Sequence, residues 1–213
     1  MGQYTSFIKD FPSRCRELLV TYPEERLQRG LPDRSVTTML CVASAVLTIP
    51  QERLKKATLR NGQDVSHPER HQYAEATLAF DTYTGQDLAL SNLWEAVSTK
   101  AHYQLGPRPT EFHAKASGPF FADYKVWEFI RVLRNALAHG NIYTGDHPKR
   151  ITNITFGSRV DEKRRERAGA PPGHYELITL GIGELSAFLH AWLDFLAALP
   201  IPEGMQDVDE AAD

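Results

Sequence analysis

Hydrophobic positions recur at helical spacing over most of this chain and switch to alternation only in its last third. Over residues 5–22, Phe7, Phe11, Cys15, Leu18 and Leu19 define the inward side of a first helix, with Pro12 suited to a first turn. Residues 24–33, bounded by Pro23 and interrupted by Gly30 and Pro32, read as a polar connection. Asp33 or Ser35 caps a second helix that reaches about Ile49. It is apolar almost all round (Val36, Met39, Leu40, Val42, Ala43, Val46, Leu47), as a central helix is. Pro50 should break it, with another turn or two over 51–59. Asn61-Gly62 opens a loop through Pro68, followed by a short helix over 69–80. Asp87 caps a helix over 88–102, with Leu90, Leu93, Trp94 and Val97 inward. Gly106 to Pro119 bounds a loop.

The strongest amphipathic pattern runs from Asp123 to Asn141, DYKVWEFIRVLRNALAHGN. At about 100° per residue, Val126, Phe129, Ile130, Leu133, Ala136 and Leu137 fall in one arc, the core face. Glu128, Arg131, Asn135 and His139 fall on the far side, so Asn135 and His139 stand one turn apart. Arg134 lies on the flank. Gly140 suits a left-handed residue closing the helix. Beyond it, 151–157 and 175–180 alternate as strands, joined through the polar stretch SRVDEKRRERAGAPPGH, and read as a hairpin. The last helix, 184–199, carries Leu185, Phe188, Leu189, Trp192, Leu193, Phe195 and Leu196. That arc is too wide for one partner surface, which places the helix in the core or in a subunit interface. Pro200 and Pro202 end it. The acidic tail 201–213 reads as disordered.

The segment IRVLRNALAHGN resembles the signature of the HEPN superfamily of helical RNases and toxins: an Arg, a polar residue, three spacers and a His near a helix end. Here these are Arg134, Asn135 and His139. The resemblance implies a mainly α fold, an HEPN-like helical bundle over residues 1–200, with the small β-hairpin inserted before the last helix. It also implies a homodimer in which two motifs meet in one cleft, RNA as substrate, and a toxin or defence role with a possible antitoxin partner. Some HEPN toxins are controlled by adenylylation of a tyrosine two residues after the motif histidine. Position 141 is Asn here and the nearest tyrosine is Tyr143, a departure that puts this control in doubt.

Metal-free RNA cleavage needs a deprotonated 2′-OH, a protonated leaving oxygen and charge stabilisation at phosphorus. Imidazole transfers protons near neutral pH. A guanidinium clamps phosphate oxygens. A neutral amide orients the histidine or the phosphate. His139, Arg134 and Asn135 supply one of each, with no cofactor required. Attack by the 2′-OH leaves a 2′,3′-cyclic phosphate and spares DNA. Arg131, Lys149 and Arg150 are candidate RNA contacts. The basic residues at 163–167 are diluted by Asp161, Glu162 and Glu166 and read as a solvated loop. Two other readings stay open: a catalytically silent HEPN module that binds RNA, a nucleotide or a protein, and a helical interaction protein unrelated to nucleic acid.

Composition narrows this picture only in part. With 213 residues, 42% hydrophobic and 24% charged, the chain matches a soluble globular protein large enough for a full core. The net charge of −3 confines any nucleic-acid contact to a local basic patch. Cys15 and Cys41 share no metal-type spacing and read as buried free thiols in a reducing compartment. His67 and His71, with Asp64 nearby, make a weak pair without further ligands, so no metal site is expected. The N-terminus lacks a signal-peptide run and no stretch reaches membrane-spanning length, so a cytoplasmic location is expected.

Overall fold

The structure is a computed structural model that describes residues 7–54, 59–60, 63–64, 74–82, 98–104, 126–144, 151–159 and 174–201. In chain order these form α1 (Phe7–Gln28), α2 (Ser35–Leu54), β1 (Leu59–Arg60), β2 (Gln63–Asp64), α3 (Ala74–Thr82), β3 (Ser98–Gln104), α4 (Val126–His139), β4 (Ile142–Thr144), β5 (Asn153–Arg159), β6 (His174–Gly181) and α5 (Ile182–Ala197). The protein is mainly helical, with an antiparallel hairpin, β5–β6, directly before the last helix. Two compact units are formed, one by Met1–Tyr83 with Leu189–Asp213, the other by Thr84–Phe188.

In the first unit α1 packs against α2. Helix α1 runs through Pro23, where a break was expected, because the residues beyond it are good helix formers and the stop signal lies at Gly30. Gly30 has φ 64°. Its N–H donates to the Leu27 carbonyl at 3.0 Å, and the Leu31 N–H reaches the Arg26 carbonyl at 2.9 Å. These two bonds close a Schellman motif. Cys15 faces inward, but Leu18 is 50% exposed, contrary to expectation. With α2 as its packing partner, α1 buries only a narrow stripe.

The start of α2 agrees with expectation: the Asp33 carboxylate accepts from the Ser35 N–H at 2.8 Å. Pro50 does not break this helix, which continues to Leu54. A proline interrupts a helix by leaving the carbonyl four residues back without its donor. That carbonyl belongs to Val46, and it accepts instead from the Trp192 indole Nε1–H at 2.9 Å. Helix α2 is less central than its sequence suggests. One side of it holds Met39, Val42, Ala43, Val46 and Leu47 in the core, but Cys41 is exposed. Arg16 pairs with Asp194 at the surface. The short strands β1 and β2 pair Arg60↔Gln63 and Leu59↔Asp64, and Asn61-Gly62, read as the start of a loop, lies outside the described residues.

The second unit is built on a four-stranded antiparallel sheet in the order β3-β6-β5-β4. Only its central hairpin was legible in the sequence. Strand β3 replaces the end of the helix expected over 88–102: Ser98–Gln104 pairs with β6, with an irregularity between Ser98 and Ala101. Pairing with a distant strand outweighs weak local helix preference there. Register sets the faces of the sheet. Ile154 opposite Leu180 and Phe156 opposite Ile178 lie on one side, and Thr155 opposite Thr179 on the other. The two threonine hydroxyls share a hydrogen bond of 2.8 Å, which satisfies the buried Thr155 through the half-buried Thr179.

Helix α4 packs on β5, and Val126, Phe129, Ile130, Val132, Leu133 and Ala136 are buried. Phe129 meets Phe188 edge-on with ring centroids 4.8 Å apart. The start of α5 is fixed by the Glu184 carboxylate, which accepts from the Gly181 N–H at 2.6 Å. The wide apolar arc of α5 is used inside the chain: Leu185, Phe188, Leu189, Trp192, Leu193 and Leu196 are all buried. No described helix is long and apolar enough to cross a membrane.

Candidate functional site

Three features of the sequence hold the end of α4. Gly140, with φ 68°, takes the left-handed conformation that a side chain would resist. Its N–H donates to the Leu137 carbonyl at 3.3 Å and the Asn141 N–H to the Ala136 carbonyl at 2.9 Å, a second Schellman closure. The Asn141 carbonyl then accepts from the Gly157 N–H at 2.9 Å, so the β4–β5 ladder begins as soon as the helix ends. At Gly157 a Cβ would meet the Leu177 side chain at 3.3 Å, which would have to shift by a few tenths of an ångström, and would touch the Tyr143 ring at 3.7 Å. Tyr143 is thus a packing residue over that glycine.

The motif side chains are divided between sheet and solvent. Asn135, placed by helical periodicity on the side away from the core, is half-buried because the sheet covers it there. Its Nδ2 donates to the Ser158 Oγ at 3.1 Å. Its Oδ1 accepts from Arg134 twice, from Nη2 at 3.1 Å and from Nε at 3.4 Å. Neighbouring helical side chains do not normally face each other. The long Arg134 side chain must therefore bend round to reach the amide. Arg134 is half-buried, whereas His139, one turn beyond Asn135, is exposed. The amide expected to orient histidine or phosphate instead orients the arginine.

Ser158 is the residue that the sequence reading missed. It was assigned to the start of the polar loop, yet it is a β5 residue with 1% exposure. The available signal was the alternation Ile154, Phe156, Ser158, continued one step further on the same face. Arg131, one turn before Asn135, is half-buried with its Nε enclosed. Lys149, Arg150, the basic residues at 163–167, His67, His71 and residues 202–213 of the acidic tail lie outside the described residues, while Ile201, expected in the disordered tail, is buried. Of the two thiols, Cys41 is exposed, so only Cys15 fits the expected burial, which pushes its pKa up to about 11.

Chemically, this arrangement presents a guanidinium hydrogen-bonded to the Asn135 amide and an accessible imidazole in the last turn of the same helix. No curated protein and no solved structure matches the chain. A family model described as HEPN pEK499 p136 matches residues 1–200, spanning both units and including the whole Arg-Asn-x-x-x-His segment. The chain belongs to this HEPN family.

Proposed function

We propose that this protein is a metal-independent endoribonuclease that cleaves RNA by attack of the 2′-OH in a cleft built from two copies of the chain. The observation that carries this reading is Arg134, clamped by Asn135 one turn from the exposed His139. His139 transfers the proton, Arg134 stabilises charge on the phosphate, and Asn135 holds Arg134. One histidine per chain serves both acid and base roles if a second copy supplies its mate. Arg131, Lys149 and Arg150 contact the RNA backbone. A toxin or defence role, with an antitoxin as partner, accompanies this activity.

One observation favours a second reading, a silent HEPN module that binds RNA, a nucleotide or a protein. Asn135 ties α4 to β5 through Ser158 while it holds Arg134, a task that needs no catalysis.

Incubation of the purified protein with total RNA in EDTA, followed by end-group analysis, separates the two. Cleavage should persist in EDTA, leave 2′,3′-cyclic ends and show a bell-shaped pH profile. His139→Ala should cost about 10²–10⁴ in rate with RNA affinity kept. Arg134→Ala should cost about 10²–10³ and flatten the salt dependence of binding. Light scattering should give twice the chain mass. Equal cleavage by wild type and His139→Ala sinks the nuclease assignment. Absence of cleavage, with ligand binding lost in Arg134→Ala, makes the silent module correct.

A further inference from the structure

The Asn135 carboxamide has two ends, and only one orientation fits its neighbours. A guanidinium has donors and no acceptor. The atom 3.1 Å from Arg134 Nη2 must therefore be the carbonyl oxygen, Oδ1. That turns Nδ2 toward Ser158, whose Oγ lies 3.1 Å away and must accept. The polarity runs one way, from guanidinium to amide oxygen and from amide N–H to hydroxyl. Ser158 is 1% exposed, so water does not readily replace it. It also stands on a rigid support. The neighbouring Gly157 N–H holds the Asn141 carbonyl at 2.9 Å, so adjacent β5 residues grip the motif helix before and after the turn that carries His139.

We propose that Ser158 is a positioning residue of the site. Its hydroxyl anchors the Asn135 amide on β5, and the anchored amide oxygen holds the direction of the Arg134 guanidinium. Ser158 itself touches no RNA. Without the hydroxyl, Asn135 gains nothing by keeping its Nδ2 toward the sheet. The amide is then no longer tied to the sheet, and the Arg134–Asn135 pair moves as a unit with Oδ1 still toward the guanidinium. Arg134 loses its direction while its charge remains. This role rests on the nuclease reading for its consequence in rate, but the orientation itself is measurable without any activity.

The test uses full-length Ser158→Ala and Ser158→Thr. In ¹⁵N spectra, the Arg134 Nε–H resonance, identified by its loss in Arg134→Lys, reports whether the guanidinium is held. Ser158→Ala should speed its solvent exchange and alter the Asn135 side-chain NH₂ pair, with far-ultraviolet circular dichroism unchanged. Ser158→Thr, which keeps a hydroxyl, should restore both signals. In the cleavage assay Ser158→Ala should lower kcat by about tenfold with KM nearly unchanged, the size expected for one net hydrogen bond used in the transition state. An Arg134 Nε–H resonance unmoved in Ser158→Ala overturns the proposal, as does wild-type kcat in that variant of a cleaving enzyme. If wild type does not cleave RNA, the nuclease reading fails alone, and the resonance decides the positioning role.

Discussion

Replacing Trp192 by phenylalanine tests why α2 survives a proline in its interior. Pro50 has no N–H, so the Val46 carbonyl loses its helical donor. The Trp192 indole N–H takes that place at 2.9 Å, where Val46 is 0% and Trp192 1% exposed. Phenylalanine keeps an aromatic ring but no donor. A buried carbonyl left without a partner costs about 1–3 kcal/mol. The smaller ring adds about 1 kcal/mol for lost packing. Trp192→Phe should therefore destabilise by roughly 2–4 kcal/mol. The two parts separate in a double-mutant cycle with Pro50→Ala. Alanine at that position restores a backbone N–H that can donate to Val46 in the regular helical pattern. In that background the cost of Trp192→Phe should fall by about 1–3 kcal/mol, leaving chiefly the packing part. Urea midpoints for the four proteins, followed by far-ultraviolet circular dichroism with a common m value, give the coupling. An equal cost in both backgrounds, within about 0.5 kcal/mol, would refute the reasoning.

Gly30 and Gly140 both have positive φ, 64° and 68°, and a Cβ at either would meet nothing within 4 Å. Gly30→Ala and Gly140→Ala should thus each destabilise by about 1 kcal/mol through backbone strain alone, read by thermal unfolding. Only Gly140→Ala should also slow RNA cleavage, because it closes the turn that carries His139; equal cleavage by the two variants would contradict this. Burial of Cys15 raises its thiol pKa from 9.0 to about 11. The folded state then holds its proton more tightly than the unfolded state. The resulting stability is full below pH 9.0 and is lost as pH rises through about 11. Allowing for solvent near the thiol, the loss should be on the order of 1–2 kcal/mol. Urea unfolding of wild type and Cys15→Ala from pH 8 to 11 should show the gap between them closing, and parallel curves would count against it.

What the sequence determined by itself is what local periodicity and local backbone chemistry control. The core face of α4 follows from residues three and four apart, and Phe129, Ile130, Leu133 and Ala136 are buried as that spacing demands. Gly140 ends the helix because glycine alone enters the left-handed region freely. The β5–β6 hairpin follows from alternation on both sides of a polar stretch. The motif itself was legible because its three members lie within six positions of one helix.

Tertiary structure decided what depends on partners far away in the chain. Asn135 was read only as lying away from the core face because periodicity gives a direction round the helix axis and not what stands there; the sheet stands there, and its partner Ser158 is 23 residues away. Pro50 was read as a stop because a proline's cost is visible locally, whereas the indole that offsets it lies 146 residues from the freed carbonyl. Ser98–Gln104 became a strand because β6 offered an open edge, which no helical propensity in that stretch could announce. In each case the deciding term is a hydrogen bond between distant residues. Its strength depends on burial and direction, and neither is written in the spacing of residues along the chain.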